Sequence, residues 1–359
     1  MTGIGLVGCG LIGTAHSFAI RQLADLGVVE ARVTEMYDTD PDRATRLARH
    51  HGAHVAPDLD TLLRAVDVVW VCTWTGGHRE VVEAAAAVGL PVFCEKPLAP
   101  TLAECEQVAV ALRTVPHQVG LVLRQSPVFR AMAEAVVSGR HGRPLAAVLR
   151  DDQYFPIQGM YESTWRSDVS RAGGGTLLEH SIHDVDILRF LFGDPEMVSA
   201  RTASVFGYPG IDDTAAMTLS YAGGHVASLV SVWHQVTSRP TSRRLEVFCE
   251  RAFLWTDDDY LGPLHVVTRD GEDVVAGLPP PWLERFTTPE VVSRALGPYA
   301  EQARSFLDAL GADGTGRGAP DVEVALAAHR LVDLGYRSAA EGGRPLRAPE
   351  CAPEARPAR

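Results

Sequence analysis

The chain has 359 residues and a formal net charge of −12; the length suggests two domains, and the negative balance argues against nucleic acid or an anionic membrane surface as a partner. Hydrophobic residues make up 46% and charged residues 22% of it, an ordinary globular composition. The six cysteines are scattered without CxxC spacing, so they read as small buried hydrophobes of a reducing compartment, not as a disulfide framework.

In chain order, the amino terminus "MTGIGLVGCGLIG" lacks a basic n-region, and no apolar stretch reaches the length of a membrane span, so a cytoplasmic chain is expected. A short apolar strand runs into Gly8-x-Gly10-x-x-Gly13, and a stretch with Phe18, Ile20, Leu23 and Leu26 on a helical period follows. Strand before and helix after give this motif its meaning. Gly8 permits the tight turn, Gly10 lets backbone approach a pyrophosphate, and Gly13 lets helix pack on strand. The loop, with Leu11 and Ile12 in it, is the expected phosphate cradle. The next strand, "ARVTEMYD", ends at Asp38, placed where a carboxylate can accept from an adenosine ribose and repel a 2′-phosphate, which favours NAD over NADP. The competing reading is a turn, since Asp40 and Asp42 nearby suit turns or caps. Arg43 reads as a residue of a solvated helix face.

"AVDVVWVCTWTGGHREVVEAAAAVGLPVFCEKP" continues as strand, loop, helix, strand. Thr73 to His78 form a loop on the ligand side of a parallel sheet; His78 is read equally as a neighbour of the cofactor or as a cap of the helix after it. The alternation predicts a doubly wound parallel sheet through about residue 120, with "LRTVPHQVGLVL" supplying its last strand. Lys96, in "CEKPLAPT", is the only lysine in the chain. Arginine elsewhere follows from a mutational bias, and the exception does not. Lysine can give up a proton when buried, which arginine effectively cannot, and this one stands at the end of an apolar strand.

The second informative stretch is "GGGTLLEHSIHDVDILRFLFGDP", residues 173–195. Glycines before it and Gly193 after it predict one helix of about 16 residues. Leu177, Leu178, Ser181, Ile182, Val185, Leu188, Leu191 and Phe192 cover most of its circumference, so it should be largely buried. Glu179, His183 and Asp186, at i, i+4 and i+7, share one sector, and such a stripe is costly unless partnered. A structural cluster competes with a catalytic one, and the catalytic reading is preferred. His180 and His183 are three apart, but His180 lies off the Glu179–His183–Asp186 line, and no second cluster has ligand spacing, so no metal is expected.

GxGxxG at 8–13, Glu95-Lys96-Pro97 after a strand, and "GGG…Glu179…His183…Asp186" in that order resemble the Gfo/Idh/MocA oxidoreductases, to about residue 345. The resemblance includes "LRQSPVFRAMAEAVVSGRHGRP", which opens the second domain, and "VEVALAAHRLVDLGYRSAAEGGRPL", which closes it. It implies an α/β chain: a Rossmann domain over 1–122 and, over 123–347, an α+β domain with an open, mostly antiparallel sheet. That sheet's exposed face often forms the oligomer contact, so a homo-oligomer, dimer or tetramer, is expected. Residues 348–359 read as a disordered tail. The active site is expected between the domains, with nicotinamide over Lys96 beside Glu95. Where the family has Asp this chain has Glu179, and Trp74 stands where a proline is common.

The implied chemistry is reversible hydride transfer between nicotinamide and a secondary carbinol of a sugar, polyol, inositol or glycoside. His183 is the expected general base, Lys96 the donor to the developing alkoxide, Glu179 an orienting or substrate-binding carboxylate, and Asp186 a tuner of His183. Substrate contacts are expected from Tyr154, Tyr161, Trp165 and Arg166 in the long stretch 151–171, and from Arg124, His180, Trp233 and His234; for that stretch an aromatic-anchored surface loop is the competing reading. Two other functions compete: an NAD-retaining enzyme that cleaves glycosides by transient oxidation and elimination, and a non-catalytic dinucleotide sensor.

Overall fold

The computed structural model describes residues 1–159, 161–275, 280–312 and 318–349. Residues 350–359, most of the expected tail, lie outside them. The chain divides into two compact units, one of Met1–Gln125 with Pro279–Leu326 and one of Ser126–Leu278 with Ala327–Arg359.

In the first unit, strands β1 (Thr2–Val7), β2 (Ala31–Tyr37), β3 (His54–Val55), β4 (Val68–Val71), β5 (Val92–Cys94) and β6 (His117–Val119) form a parallel sheet in the order β3-β2-β1-β4-β5-β6. This is the doubly wound order with its crossover switch between β1 and β4. Helices α1 (Leu11–Asp25), α2 (Pro41–His51), α3 (Leu59–Ala65), α4 (His78–Ala87) and α5 (Leu102–Leu112) make the crossovers. The sequence stops and starts them locally. Asp40, Asp58 and Thr101 cap α2, α3 and α5 through their side chains, and Gly52 ends α2 in the left-handed region. Strand β4 is buried on both sides: Val68 and Trp70 enter one core layer, Val69 and Val71 the other, as a central parallel strand requires.

In the second unit the helices are α6 (Pro127–Val137), α7 (Val169–Ala172), α8 (Thr176–Glu179) and α9 (Ile182–Phe192). The strands are β7 (Pro144–Tyr154), β8 (Met197–Ala203), β9 (Thr214–Ser220), β10 (Val226–His234), β11 (Ser242–Cys249), β12 (Ala252–Thr256), β13 (Leu264–Thr268), β14 (Gly271–Val275) and β15 (Leu346–Arg347). They form one sheet ordered β14-β13-β12-β11-β7-β10-β9-β8-β15. Only β7 and β10 pair in parallel. Along β7, Ala147, Leu149 and Asp151 are buried while Val148 and Arg150 between them are exposed, so one face is covered and the other is not.

Two boundaries differ from the sequence reading. Residues 279–326, assigned there to the second domain, belong to the first unit: α10 (Glu290–Ala312) sends Ala300, Ala303 and Phe306 into the layer that holds Ile4, Trp70 and Phe93. Burial of apolar side chains decides this, and no turn or linker signal announces it. The helix α11 (Val322–Ala340) then begins in the first unit and ends in the second. Ala348, placed in the expected tail, donates to Glu196 O at 2.8 Å.

Candidate active-site residues

The glycine loop follows β1 at the carboxyl edge of the parallel sheet. Gly8 has φ +95°, and a Cβ there would lie 2.5 Å from the Cys72 carbonyl carbon; a Cβ on Gly13 would lie 2.1 Å from Gly8 O. Both glycines are therefore required by the chain itself. Gly10 is different, because a Cβ there would meet nothing within 4 Å. It precedes α1 without capping it by a side chain, which leaves the first amides of the helix, at Leu11 and Ile12, without a side-chain acceptor from that position. A pyrophosphate fits such a place, since it needs open space against backbone and a positive helix end.

Asp38 directly follows β2 and braces this loop. Its Oδ2 accepts from Cys9 N at 2.7 Å and its Oδ1 from Asp40 N at 2.8 Å. The turn reading is thus present in part, and each oxygen keeps a lone pair for a ribose hydroxyl. Asp40 caps α2 by accepting from the amides of Asp42 and Arg43. Arg43 is half exposed, with Nη1 3.9 Å from Asp38. Burial, helped by Asp38, pushes the Cys9 thiol up to about 12, so it is a packing group in the loop.

Lys96 follows β5 at the same edge. Glu95 N donates to Val71 O at 2.9 Å, and the Glu95 carboxylate turns back so that Oε2 accepts from Lys96 N at 3.1 Å. His16 Nε2 meets Glu95 Oε1 at 2.8 Å, with both side chains buried. A Cβ on Gly120 would lie 2.5 Å from that same oxygen. The helix-cap reading of His78 is corrected. Gly77 precedes α4, and the buried His78 ring turns inward, with Nδ1 2.7 Å from Pro97 O and Nε2 3.2 Å from Thr73 O. Inward-facing polar rings find backbone acceptors before they cap.

In the second unit the predicted 16-residue helix is broken. Glu179 ends α8, His180 and Ser181 interrupt, and His183 lies in the first turn of α9. The Ser181 amide bonds to Thr176 O in place of the regular acceptor, so Glu179, His183 and Asp186 do not share one uninterrupted helical stripe. Asp212 explains the break: Oδ1 accepts from Gly175 N at 2.7 Å and Oδ2 from Leu177 N at 3.0 Å, and Thr176 Oγ1 bonds Ser231 Oγ of β10 at 2.6 Å. The glycine entry serves this docking, because a Cβ on Gly175 would lie 1.8 Å from Asp212 O.

Several predicted substrate residues gather around α8. Arg166 Nε donates to Glu179 Oε2 at 3.1 Å, and its guanidinium lies 4.2 Å from the centroid of the Trp165 ring. Trp233 Nε1 donates to His180 Nδ1 at 2.6 Å, which leaves the neutral His180 ring its proton on Nε2. Tyr161 lies 5.4 Å from Tyr154, ring to ring, and burial pushes its hydroxyl up to about 12. Arg124 is buried in a short helical turn of the first unit, over Val122–Gln125, away in sequence from this group. His234 Nδ1 accepts from Val236 N and Asp186 is buried in α9.

A cluster beside His183 is absent from the sequence reading. Asp184 is wholly buried and Arg243 of β11 reaches it at 2.6 Å, Asp151 of β7 at 3.2 Å, and Asp259. Burial pushes the Asp184 carboxyl up to about 7, with Arg243 pulling it down and Asp151 pushing it up. Its partners are far apart in sequence, and only the adjacency to His183 could have flagged it. Among the described residues, no three His, Cys, Asp or Glu side chains group as a metal site, and no helix is long and apolar enough to cross a membrane.

Residues 2–121 match the model of an oxidoreductase family with an NAD-binding Rossmann fold, and residues 129–254 match the Gfo/Idh/MocA C-terminal domain. The chain belongs to the Gfo/Idh/MocA oxidoreductase family. Within that family it is 33% identical over 227 residues to a 1,5-anhydro-D-fructose reductase of Ensifer adhaerens, covering 61% of this chain and 67% of the relative. It is 29% identical over 351 residues to an inositol 2-dehydrogenase of Rhizobium meliloti (strain 1021), covering 94% and 96%. A levoglucosan dehydrogenase solved with NADH and levoglucosan shares the fold, with TM-score 0.83 and 23% identity over 97% of this chain and 99% of that one. The family places a nicotinamide dinucleotide in the first unit, and the glycine loop fits it. The sequence reading of family, fold class and oxidoreductase activity stands.

Proposed function

We propose that this oxidoreductase uses NAD in preference to NADP and oxidises a secondary hydroxyl of a sugar, polyol or inositol, or reduces the matching ketone. The observation that carries the reading is Lys96. It is the only lysine of the chain, it stands at the carboxyl edge that carries the glycine loop, and the backbone on both sides of it is tied down. When bound, the nicotinamide supplies the hydride acceptor or donor. His183 removes the hydroxyl proton, a contribution of about 10²–10⁴-fold. Lys96 donates a hydrogen bond to the alkoxide as it develops, and the abstracted proton leaves from His183. Glu179, held by Arg166, braces the segment that leads into His183. Asp38 supports NAD, because a 2′-phosphate would meet a carboxylate there. The relatives' names support polyol or anhydrosugar substrates, and the aromatic residues Tyr154, Tyr161 and Trp165 suit stacking on such rings. The uncovered sheet face, with Val148, Val230 and Phe248 exposed, supports a homo-oligomer, and the buried thiols suit a cytoplasmic setting.

The test follows nicotinamide absorbance with NAD and then NADP against myo-inositol, levoglucosan and, in reverse with NADH, 1,5-anhydro-D-fructose. Turnover with one of these that falls by about 10²-fold or more in Lys96→Arg, with cofactor affinity kept, is the expected result. Near-normal kcat in Lys96→Arg would sink the mechanism.

A further inference from the structure

We propose that His16 and His78 are positioning residues for Lys96, two buried imidazoles that fix the turn Glu95–Pro97 from its two sides. The inference rests on the reading of Lys96 as a catalytic residue and adds the groups that set its place.

His16 lies on α1, 79 residues from Glu95 in sequence. Its ring is buried among Trp70, Phe93 and Tyr299, at centroid distances of 6.1, 4.9 and 5.1 Å. Nδ1 has no hydrogen-bond partner, and Nε2 meets Glu95 Oε1 at 2.8 Å. An aliphatic or phenyl side chain would fill this aromatic pocket without leaving a polar atom unmatched. What only the imidazole supplies is the hold on the carboxylate. The carboxylate oxygen accepts, so the ring donates through Nε2.

Glu95 passes that hold on. Its second oxygen accepts from the Lys96 amide at 3.1 Å, and Gly120 leaves room for the carboxylate where any Cβ would collide with it. On the far side, His78 Nδ1 meets Pro97 O at 2.7 Å and Nε2 meets Thr73 O at 3.2 Å. Carbonyls only accept, so the neutral ring serves the shorter contact through Nδ1–H, and the imidazolium serves both. The Lys96 amide and the Pro97 carbonyl, one residue beyond it, are thereby pinned to α1 and α4, the two helices that flank the glycine loop and the Thr73 loop. The reach of Nζ toward a reacting oxygen depends on that frame, and a displacement of about 1 Å is enough to lose on the order of 10²-fold in rate.

The experiment uses the full chain with His16→Leu and His78→Leu, and with His16→Gln and His78→Asn, which keep a donor near the position of Nε2 and Nδ1 respectively. Turnover is measured with whichever of myo-inositol and levoglucosan the wild type oxidises. The expected result is a kcat lowered by about 10²-fold in each Leu variant, with KM and NAD affinity within about threefold, and recovery to within about tenfold of wild type in the Gln and Asn variants. Because Lys96 is the only lysine, protein grown on ε-¹³C-lysine gives one ε-methylene resonance from the folded chain. That resonance should shift or broaden in the Leu variants and return in His16→Gln and His78→Asn, with or without a turned-over substrate. An unmoved resonance with unchanged kcat overturns the proposal. So does equal loss in the Leu and the conservative variants together with a collapse of NAD affinity, since that marks general damage to the fold. Lys96→Arg separates the two layers: full turnover there refutes the catalytic reading, whereas an inactive Lys96→Arg beside fully active Leu variants refutes the positioning alone.

Discussion

The pair Arg166–Glu179 decides what a glutamate does where the family has aspartate, and its strength can be worked out. Glu179 is fully buried and the Arg166 side chain is 14% exposed, so solvent screens the pair little. Removing the guanidinium in Arg166→Met takes the ion-pair partner from a buried carboxylate, at a cost of about 3–5 kcal/mol. At about 2–4 °C per kcal/mol for a domain of 150–250 residues, the melting temperature should fall by roughly 10 °C. Glu179→Gln keeps an acceptor for Arg166 and should cost about 1–2 kcal/mol. The double variant holds two neutral side chains of similar bulk, and it should be more stable than the sum of the singles predicts by about 2 kcal/mol or more. Calorimetry of the four proteins with NAD saturating supplies the cycle. Additivity within about 0.5 kcal/mol would mean that the contact contributes nothing specific, and Glu179 would then have to be explained by its other contacts.

Two further outcomes follow from the same geometry. Gly10→Ala should leave the melting temperature unchanged, because its Cβ meets nothing within 4 Å, yet weaken NAD binding by at least about tenfold if a methyl meets the pyrophosphate; Gly13→Ala should destabilise the chain with or without NAD, and equal behaviour of the two in a titration followed by melting would contradict the cradle. Asp184 binds its proton more tightly folded than unfolded, with a carboxyl pushed up from 3.8 to about 7 by burial. Its contribution therefore favours the folded chain in acid and is lost as pH rises from about 4 through about 7. Unfolding curves of wild type and Asp184→Asn should diverge over that window with the wild type losing ground as pH rises, and Arg243, Asp151 and Ser181 are the groups that act on the carboxyl; parallel curves would contradict the shift.

The sequence by itself determined what is local in the chain. A strand, a glycine turn and a helix are close in sequence, so the dinucleotide fold, the Asp40 cap of α2 and the end of β5 before Lys96 were legible in composition and spacing. The singularity of Lys96 needed no coordinates at all. Tertiary structure decided what depends on pairs distant in sequence. Burial against the β1–β4 layer drew 279–326 into the first unit. Asp212, more than thirty residues downstream, captured the amides that begin α8, and the predicted helix split at His180 and Ser181 because a buried amide takes the acceptor that the fold offers. His16, one polar residue among several on α1, and Asp184, one acid beside a histidine, carried no pattern that separates them from solvent-facing neighbours. Their roles exist only once Glu95 and Arg243 are brought to them, since a buried charge is tolerable only where the fold delivers its partner.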